Sequence, residues 1–131
     1  MMTVNFNLSG LVVPKARPRF AGGHSYLPGN YRTWKQGAIL ELTQQARHQG
    51  LVLPIPCPVS IDIHYSGHAR GDSDNLSGSI LDALTGAKVL ADDSVIHVPR
   101  LCFVFEKAPA NRAGTVIYLL LHECKQPLTK S

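Results

Sequence analysis

Apolar and polar residues alternate in two parts of the chain, one near its beginning and one near its middle. The first runs from Thr3 to Val13, where apolar side chains alternate with asparagine and serine, and the second runs from Val59 to Tyr65. A two-residue period is typical of a strand with one face buried. The sequence therefore predicts a strand in each place.

Helical spacing appears in two other segments. Apolar residues recur every three or four positions from Tyr31 to Ala46, after Asn30 as a candidate N-cap and before Gly50. This pattern predicts an amphipathic helix packed on a sheet. A shorter helix is predicted from Leu76 to Leu84, closed by Gly86.

The remaining segments complete the predicted architecture. The density of proline and glycine from Pro14 to Gly29 predicts a loop. Apolar stretches from Val95 to Glu106 and from Thr115 to His122 predict a terminal hairpin of two longer strands, and the polar tail, residues 123–131, is expected to be flexible. The order βαβαβββ indicates an α+β fold with two helices on one face of a mixed or antiparallel sheet.

Length and composition limit the class of protein. A chain of 131 residues suits a single domain, here residues 1–131 with a core at about 3–122. The apolar runs are too short to cross a bilayer, and no secretory signal is visible, so we expect a cytoplasmic protein without a membrane partner. Cys57, Cys102 and Cys124 are few and widely spaced, which favours buried thiols over disulfides or a zinc site.

Charge is distributed unevenly along the chain. The net charge is +4, yet no acidic residue precedes Glu41, whereas five of the nine carboxylates lie between Asp72 and Asp93. A basic block is equally a solvated face or an anion-binding surface. The presence of both blocks in one small chain favours a protein whose cations bind a polyanion and whose carboxylates bind a divalent metal.

Four of these carboxylates fall at predicted junctions. Asp72 and Asp74 flank one residue between a strand and a helix, and Asp92 and Asp93 follow that helix. Clustered carboxylates repel one another unless a cation neutralises them, and oxygen-rich sites without histidine or cysteine suit magnesium or manganese. Taken singly, each motif is more often an ordinary helix cap or turn than a metal site.

Other carboxylate sites fit the sequence poorly. A calcium-binding EF-hand loop that began at Asp72 would need glycine and glutamate where Ser77 and Ala83 stand. A phosphatase of the Asp-x-Asp type needs an apolar strand that runs directly into the first aspartate, but residues 68–71 intervene. No phosphate-binding Walker loop, serine nucleophile elbow or His-Glu-x-x-His motif occurs.

The blocks in combination resemble the RusA family of Holliday junction resolvases. They are Gly71-Asp72-Ser73-Asp74-Asn75, Leu81-Asp82-Ala83-Leu84, Val89-Leu90-Ala91-Asp92-Asp93-Ser94-Val95 and the basic loop Pro14-Lys15-Ala16-Arg17-Pro18-Arg19. The resemblance implies a small homodimeric endonuclease that acts in DNA recombination and repair. It would need Mg²⁺, with Mn²⁺ as the alternative ion, bind four-way DNA junctions and nick two opposing strands symmetrically.

The resemblance also implies roles for individual residues. Asp72, Asp74 and Asp93 would be catalytic and bind the metal, with Asp92 as a neighbouring ligand. We assign DNA contacts to basic residues and one loop histidine: Lys15, Arg17, Arg19, His24, Arg32, Lys35, Arg70 and Lys88. Tyr31 and Trp34 are expected in the core, and Asp82 is expected to have a structural role.

One position departs from the family pattern. The family usually has a lysine four residues after the second aspartate, where this chain has Gly78. Lys88, Lys35 or Arg70 could supply the missing charge, or Gly78 could admit a closely approaching backbone. Three functions therefore compete: a junction endonuclease, a catalytically weakened junction-binding protein, and a nuclease for other branched DNA.

Overall fold

The computed structural model contains two α-helices and six strands among the residues that it describes, which are 2–15, 19–26, 29–122 and 127–130. The elements, in chain order, are β1 (Met2–Ser9), β2 (Arg19–Ala21), β3 (His24–Tyr26), α1 (Gly29–His48), β4 (Val59–Gly67), α2 (Ser73–Gly86), β5 (Arg100–Lys107), a 3-10 helix (Ala110–Arg112) and β6 (Gly114–Leu121).

Four strands form the main sheet in the order β1-β6-β4-β5. β6 is antiparallel to β1 and to β4, whereas β4 and β5 are parallel. The two α-helices and this mixed sheet confirm the predicted α+β class.

The predicted terminal hairpin is wrong. β6 lies between β1 and β4, and β5 pairs with the other side of β4. The sequence of β6 is apolar at consecutive positions, which suits a strand with neighbours on both sides, whereas β5 is mostly exposed and carries charged residues at its ends, which suits an edge strand. β5 also starts only at Arg100, because His97 and Val98 donate backbone hydrogen bonds to Ser94 in a preceding turn.

The predicted loop after β1 contains a small hairpin. β2 and β3 pair antiparallel, and Gly22 and Gly23, both with positive φ, form the turn between them. Such φ values at both turn positions match the twist of the flanking strands, which explains regular structure in a glycine-rich segment. α1 begins at Gly29, one residue before the expected cap, and the side chain of Asn30 accepts a hydrogen bond from the backbone of Tyr31.

The hydrophobic core forms where the helices pack on the sheet. Its fully buried members include Phe6, Leu42, Ile61, Ile63, Ile80, Leu84, Ile117 and Leu119. Each such side chain contributes about 1.5 to 3 kcal/mol through removal from water. Tyr31 is also buried and Trp34 packs against the core, as predicted. Among the described helices, none has the length and apolar character needed to cross a membrane.

The chain returns to the fold after β6. Val52 donates a backbone hydrogen bond to Leu128 at 2.8 Å, and Lys130 donates one to Gly50 at 2.7 Å. Residues 127–130 of the tail are therefore attached to the segment after α1, while 123–126 and 131 lie outside the described residues. Cys57 is buried and Cys102 half-buried, whereas Cys124 lies outside the described part.

Candidate functional site

The first pair of aspartates lies where α2 begins. Asp72 is the N-cap, with an extended backbone, and its carbonyl accepts a hydrogen bond from Leu76 at 2.9 Å. Its carboxylate makes no capping hydrogen bond. Asp74 lies in the first helical turn, where its Oδ1 accepts a hydrogen bond from the backbone of Asn75 at 3.0 Å. Both side chains are exposed, so their carboxylates are accessible to a ligand.

Gly71 positions this pair. Its φ of 86° lies in the left-handed region, and a Cβ at this residue would lie 2.7 Å from Cγ of Pro14. A side chain is therefore excluded by both the backbone conformation and the available space. The chain turns sharply here from β4 into α2, which brings Asp72 and Asp74 to the surface beside the segment that follows β1.

The second pair of aspartates lies at the other end of α2. Two backbone hydrogen bonds hold the segment that contains Asp92 and Asp93: Ile55, before β4, donates to Val89, and Val59, the first residue of β4, donates to His97. Asp72 and Asp74, in contrast, follow the end of β4. α2 has 14 residues, so at 1.5 Å per residue it is about 21 Å long, and the second pair follows its far end.

The structure thus does not bring the four aspartates together within one chain. Over the described ranges, no three histidine, cysteine, aspartate or glutamate side chains are close enough to hold one metal ion. The chemistry of Asp72 and Asp74 still fits Mg²⁺, because their exposed carboxylates are hard oxygen ligands. One or two carboxylates with water completing the shell are a usual magnesium arrangement, so the donor type fits.

Basic side chains follow α2 along its length. Arg70 is exposed two residues before Asp72, Lys15 crosses the middle of the helix, and the exposed Lys88 follows its end. Lys35 of α1 also approaches the end of α2, with its Cε 3.8 Å from where a Cβ on Gly86 would lie. Arg32 is exposed in the first turn of α1.

The other predicted DNA contacts are only partly described. Arg19 belongs to β2 and His24 to β3, but the structure describes only the backbone of these two residues. Arg17 lies outside the described residues altogether. These three residues therefore remain predictions.

The comparison with known families decides the class of protein. The family model for the endodeoxyribonuclease RusA matches residues 10–118 of the chain. The chain belongs to the RusA endodeoxyribonuclease family. No curated protein matches it. A RusA family member is a nuclease that hydrolyses DNA, and the matched range contains β4, α2, β5 and all four aspartates.

In this RusA family chain, a groove separates α2 from the edge strand β5. Its walls are Asp74, Gly78 and Leu81 on the helix and Leu101 and Phe103 on the strand. A second depression continues it past Arg70 toward Phe105. The exposed carboxylate of Asp74 therefore lies at a partly apolar groove.

Sequence reasoning missed two features of this RusA site. It gave Asp82 a structural role without identifying its partners, and it did not place Lys15 at Gly78. Asp82 accepts hydrogen bonds from Tyr31 and Lys15. The available signal was the spacing of Asp74, Gly78 and Asp82, which places them one turn apart on one face of α2.

Proposed function

We propose that this RusA family protein is a magnesium-dependent, homodimeric endonuclease that resolves four-way DNA junctions by paired symmetric nicks. The observation that carries the proposal is the exposed pair Asp72 and Asp74 at the start of α2, with Arg70 and Lys15 beside it. Carboxylates that hold a metal and cations that hold phosphates are the two elements that phosphodiester hydrolysis needs.

Asp72 and Asp74 would hold Mg²⁺, or Mn²⁺ in its place. When bound, the ion supplies a hydroxide at neutral pH and stabilises charge on the phosphate. The protein provides the orientation: Gly71 fixes the turn before the pair, and the helix N-terminus directs the two carboxylates to the surface. Arg70, Lys15, Arg32, Lys35 and Lys88 would contact phosphates of the junction arms.

A homodimer would resolve the position of Asp93. Within one chain Asp93 follows the end of α2, whereas Asp74 lies in its first turn. We propose that, in a dimer with a two-fold axis, the partner's Asp93 lies at the start of α2 and completes the ligand set. A two-fold dimer also provides the two sites that paired incision requires.

The test is cleavage of a labelled synthetic four-way junction in magnesium, in manganese and in chelator, with a gel shift to measure binding. We expect paired, metal-dependent nicks that Asp72→Asn and Asp74→Asn abolish while junction binding is retained, because neutralising a carboxylate beside DNA does not weaken phosphate contacts. Flaps, Y-forks and linear duplex serve as competing substrates. If the protein cleaved a flap in preference to the four-way junction, the flap would be its substrate.

Gly78 favours one alternative, a junction-binding protein that has lost cleavage. Tight binding without nicks in either metal would support that alternative and contradict the endonuclease. If Asp74→Asn cleaved junctions as fast as the wild type, Asp74 would not be a metal ligand, but the protein would still be an endonuclease.

A further inference from the structure

The side chain of Lys15 lies directly over Gly78. A Cβ at Gly78 would lie 3.1 Å from Cδ of Lys15 and 3.7 Å from its Cβ. The shorter distance is below ordinary van der Waals contact, so the lysine stem crosses α2 where the helix has no side chain. Gly78 thereby provides the space for a residue from the segment after β1.

The backbone around Lys15 is attached to the same helix. The amide of Lys15 donates a hydrogen bond to the carbonyl of Asn75 at 3.1 Å, and the hydroxyl of Ser79 donates one to the carbonyl of Val13 at 2.6 Å. These two bonds lie on either side of Gly78 in the sequence of α2. The position of the lysine stem is therefore fixed by the helix rather than by the rest of the basic loop.

The ammonium group of Lys15 has a defined partner in the free protein. Its Nζ lies 3.2 Å from Oδ1 of Asp82, and Tyr31 donates to the other oxygen of that carboxylate. The lysine side chain remains 47% exposed, so an anionic ligand can reach it. Asp74 and Asp82 each lie four residues, about 6 Å along the helix axis, from Gly78.

We propose that Lys15 is the catalytic cation of the cleavage centre. Gly78 leaves the space on α2 that the lysine stem occupies, and Asp82 is the residue that positions the ammonium group. The ammonium group has three donors, so one can stay on Asp82 while rotation about the last bonds of the stem turns another toward Asp74, where it meets a phosphate oxygen. There it stabilises the negative charge that develops on the phosphate during hydrolysis. The inference rests on the proposed function, because it assumes that Asp74 lies beside the scissile phosphate.

The decisive experiment moves the lysine from the loop to the helix. Single-turnover nicking of a four-way junction is measured at saturating protein for the wild type, Lys15→Ala and the double variant Lys15→Ala/Gly78→Lys. We expect Lys15→Ala to lower the nicking rate by about a hundredfold, the effect of removing one electrostatic stabiliser, with a much smaller change in junction affinity. The double variant should recover most of the rate, because a lysine at position 78 starts one turn from Asp74.

Arg47→Ala is the matched control, since Arg47 is an exposed cation in the last turn of α1. It should leave the nicking rate unchanged. A rate in Lys15→Ala equal to that of the wild type would overturn the assignment, as would a double variant that binds junctions normally but does not recover. A wild type that makes no nicks would instead contradict the proposed function, so the two failures are distinguishable.

The role of Asp82 is tested by a double-mutant cycle. Asp82→Asn should lower the nicking rate in the wild-type background and have no further effect in the Lys15→Ala background, because a positioning residue acts only through the group that it positions. Equal effects in both backgrounds would show that Asp82 contributes to the fold independently of Lys15 and would remove it from the proposal.

Discussion

The hydroxyl of Tyr31 on α1 donates a hydrogen bond to Asp82 on α2 over 2.5 Å. The tyrosine is 1% exposed and its ring stacks with Trp34 at a centroid distance of 6.1 Å. Since the same carboxylate also pairs with Lys15, a single side chain connects both helices and the segment after β1. Asp82 therefore links the packing of the core to the cations of the site.

Removal of the Tyr31 hydroxyl should destabilise the protein. Tyr31→Phe keeps the ring but deletes a hydrogen bond to a charged acceptor, and we expect a loss of about 1.5 kcal/mol in the free energy of unfolding. Urea unfolding measures it. Tyr118→Phe is the control, because Tyr118 is 38% exposed, and its effect should stay within about 0.5 kcal/mol. Equal losses in the two variants would contradict the importance of the Asp82 contact.

The same tyrosine should make stability depend on pH in the alkaline range. Burial, and then the hydrogen bond to Asp82 and its charge, raise the pKa of Tyr31 above its ordinary value of 10.0. Above that value the unfolded chain loses the proton while the folded chain keeps it, so the contribution to stability is present below about pH 10 and is lost as pH rises. The difference in unfolding free energy between the wild type and Tyr31→Phe should therefore shrink between about pH 9 and about pH 11. A difference that stays constant over this range would contradict the prediction.

Two glycine substitutions should change stability in opposite directions. Gly71→Ala places a Cβ 2.7 Å from Pro14 at a φ of 86°, and we expect a loss of about 2 kcal/mol together with slower cleavage as Asp72 shifts. Gly37→Ala lies inside α1 with nothing within 4 Å of its Cβ. It should gain about 1 kcal/mol and cleave normally. Thermal unfolding measures the change in stability, and the junction assay measures the change in cleavage. A Gly71→Ala variant as stable and as active as the wild type would contradict the role assigned to that turn.

Mixed dimers should reveal whether the carboxylates come from two subunits. Asp74→Asn and Asp93→Asn chains are each expected to be inactive alone. If the partner's Asp93 completes the site, a mixture of the two contains heterodimers with one intact site, and single nicks should return. If each site lies within one chain, no heterodimer has an intact site and the mixture stays inactive. An inactive mixture that demonstrably exchanges subunits would therefore contradict the composite site.

Arg70 should affect junction affinity through phosphate contact. Arg70→Gln should weaken binding to all junction sequences and lower the slope of log affinity against log salt by about 1, because one fewer counterion is released. Fluorescence titrations at several salt concentrations measure the slope. Arg47→Gln, at the opposite end of α1 from the site, should leave the slope unchanged, and equal slopes in both variants would exclude Arg70 from the interface.

Local patterns predicted the elements better than their arrangement. The helix from Tyr31 and the strand from Val59 follow from side-chain periodicity, and both appear in the structure. The strands that pair with β6 could not be predicted from these local patterns, because strand pairing depends on contacts between residues that are distant in sequence. Its consecutive apolar residues are typical of an interior strand, and this signal outweighs its proximity to β5 in the chain.

The candidate site was predictable in part for a similar reason. The motif around Asp72 and Asp74 includes its own helix start, so sequence alone located the pair. The spacing of Asp93 gives no information about distance across the fold, and α2 places it at the far end. The contact of Lys15 with Gly78 joins residues far apart in the chain and became visible only in the structure.

The central position of β6 constrains when this nuclease can form during synthesis. In the part of the chain that the structure describes, β1 pairs within the main sheet only with β6, and β6 is the last strand of that sheet to be translated. β1 therefore cannot pair within the main sheet until residues 114–121 have been translated. We expect the sheet to be completed only after all the earlier strands have been made. A chain interrupted before β6 carries all four aspartates but lacks the strand that joins β1 to β4, so incomplete products should be unable to cut DNA.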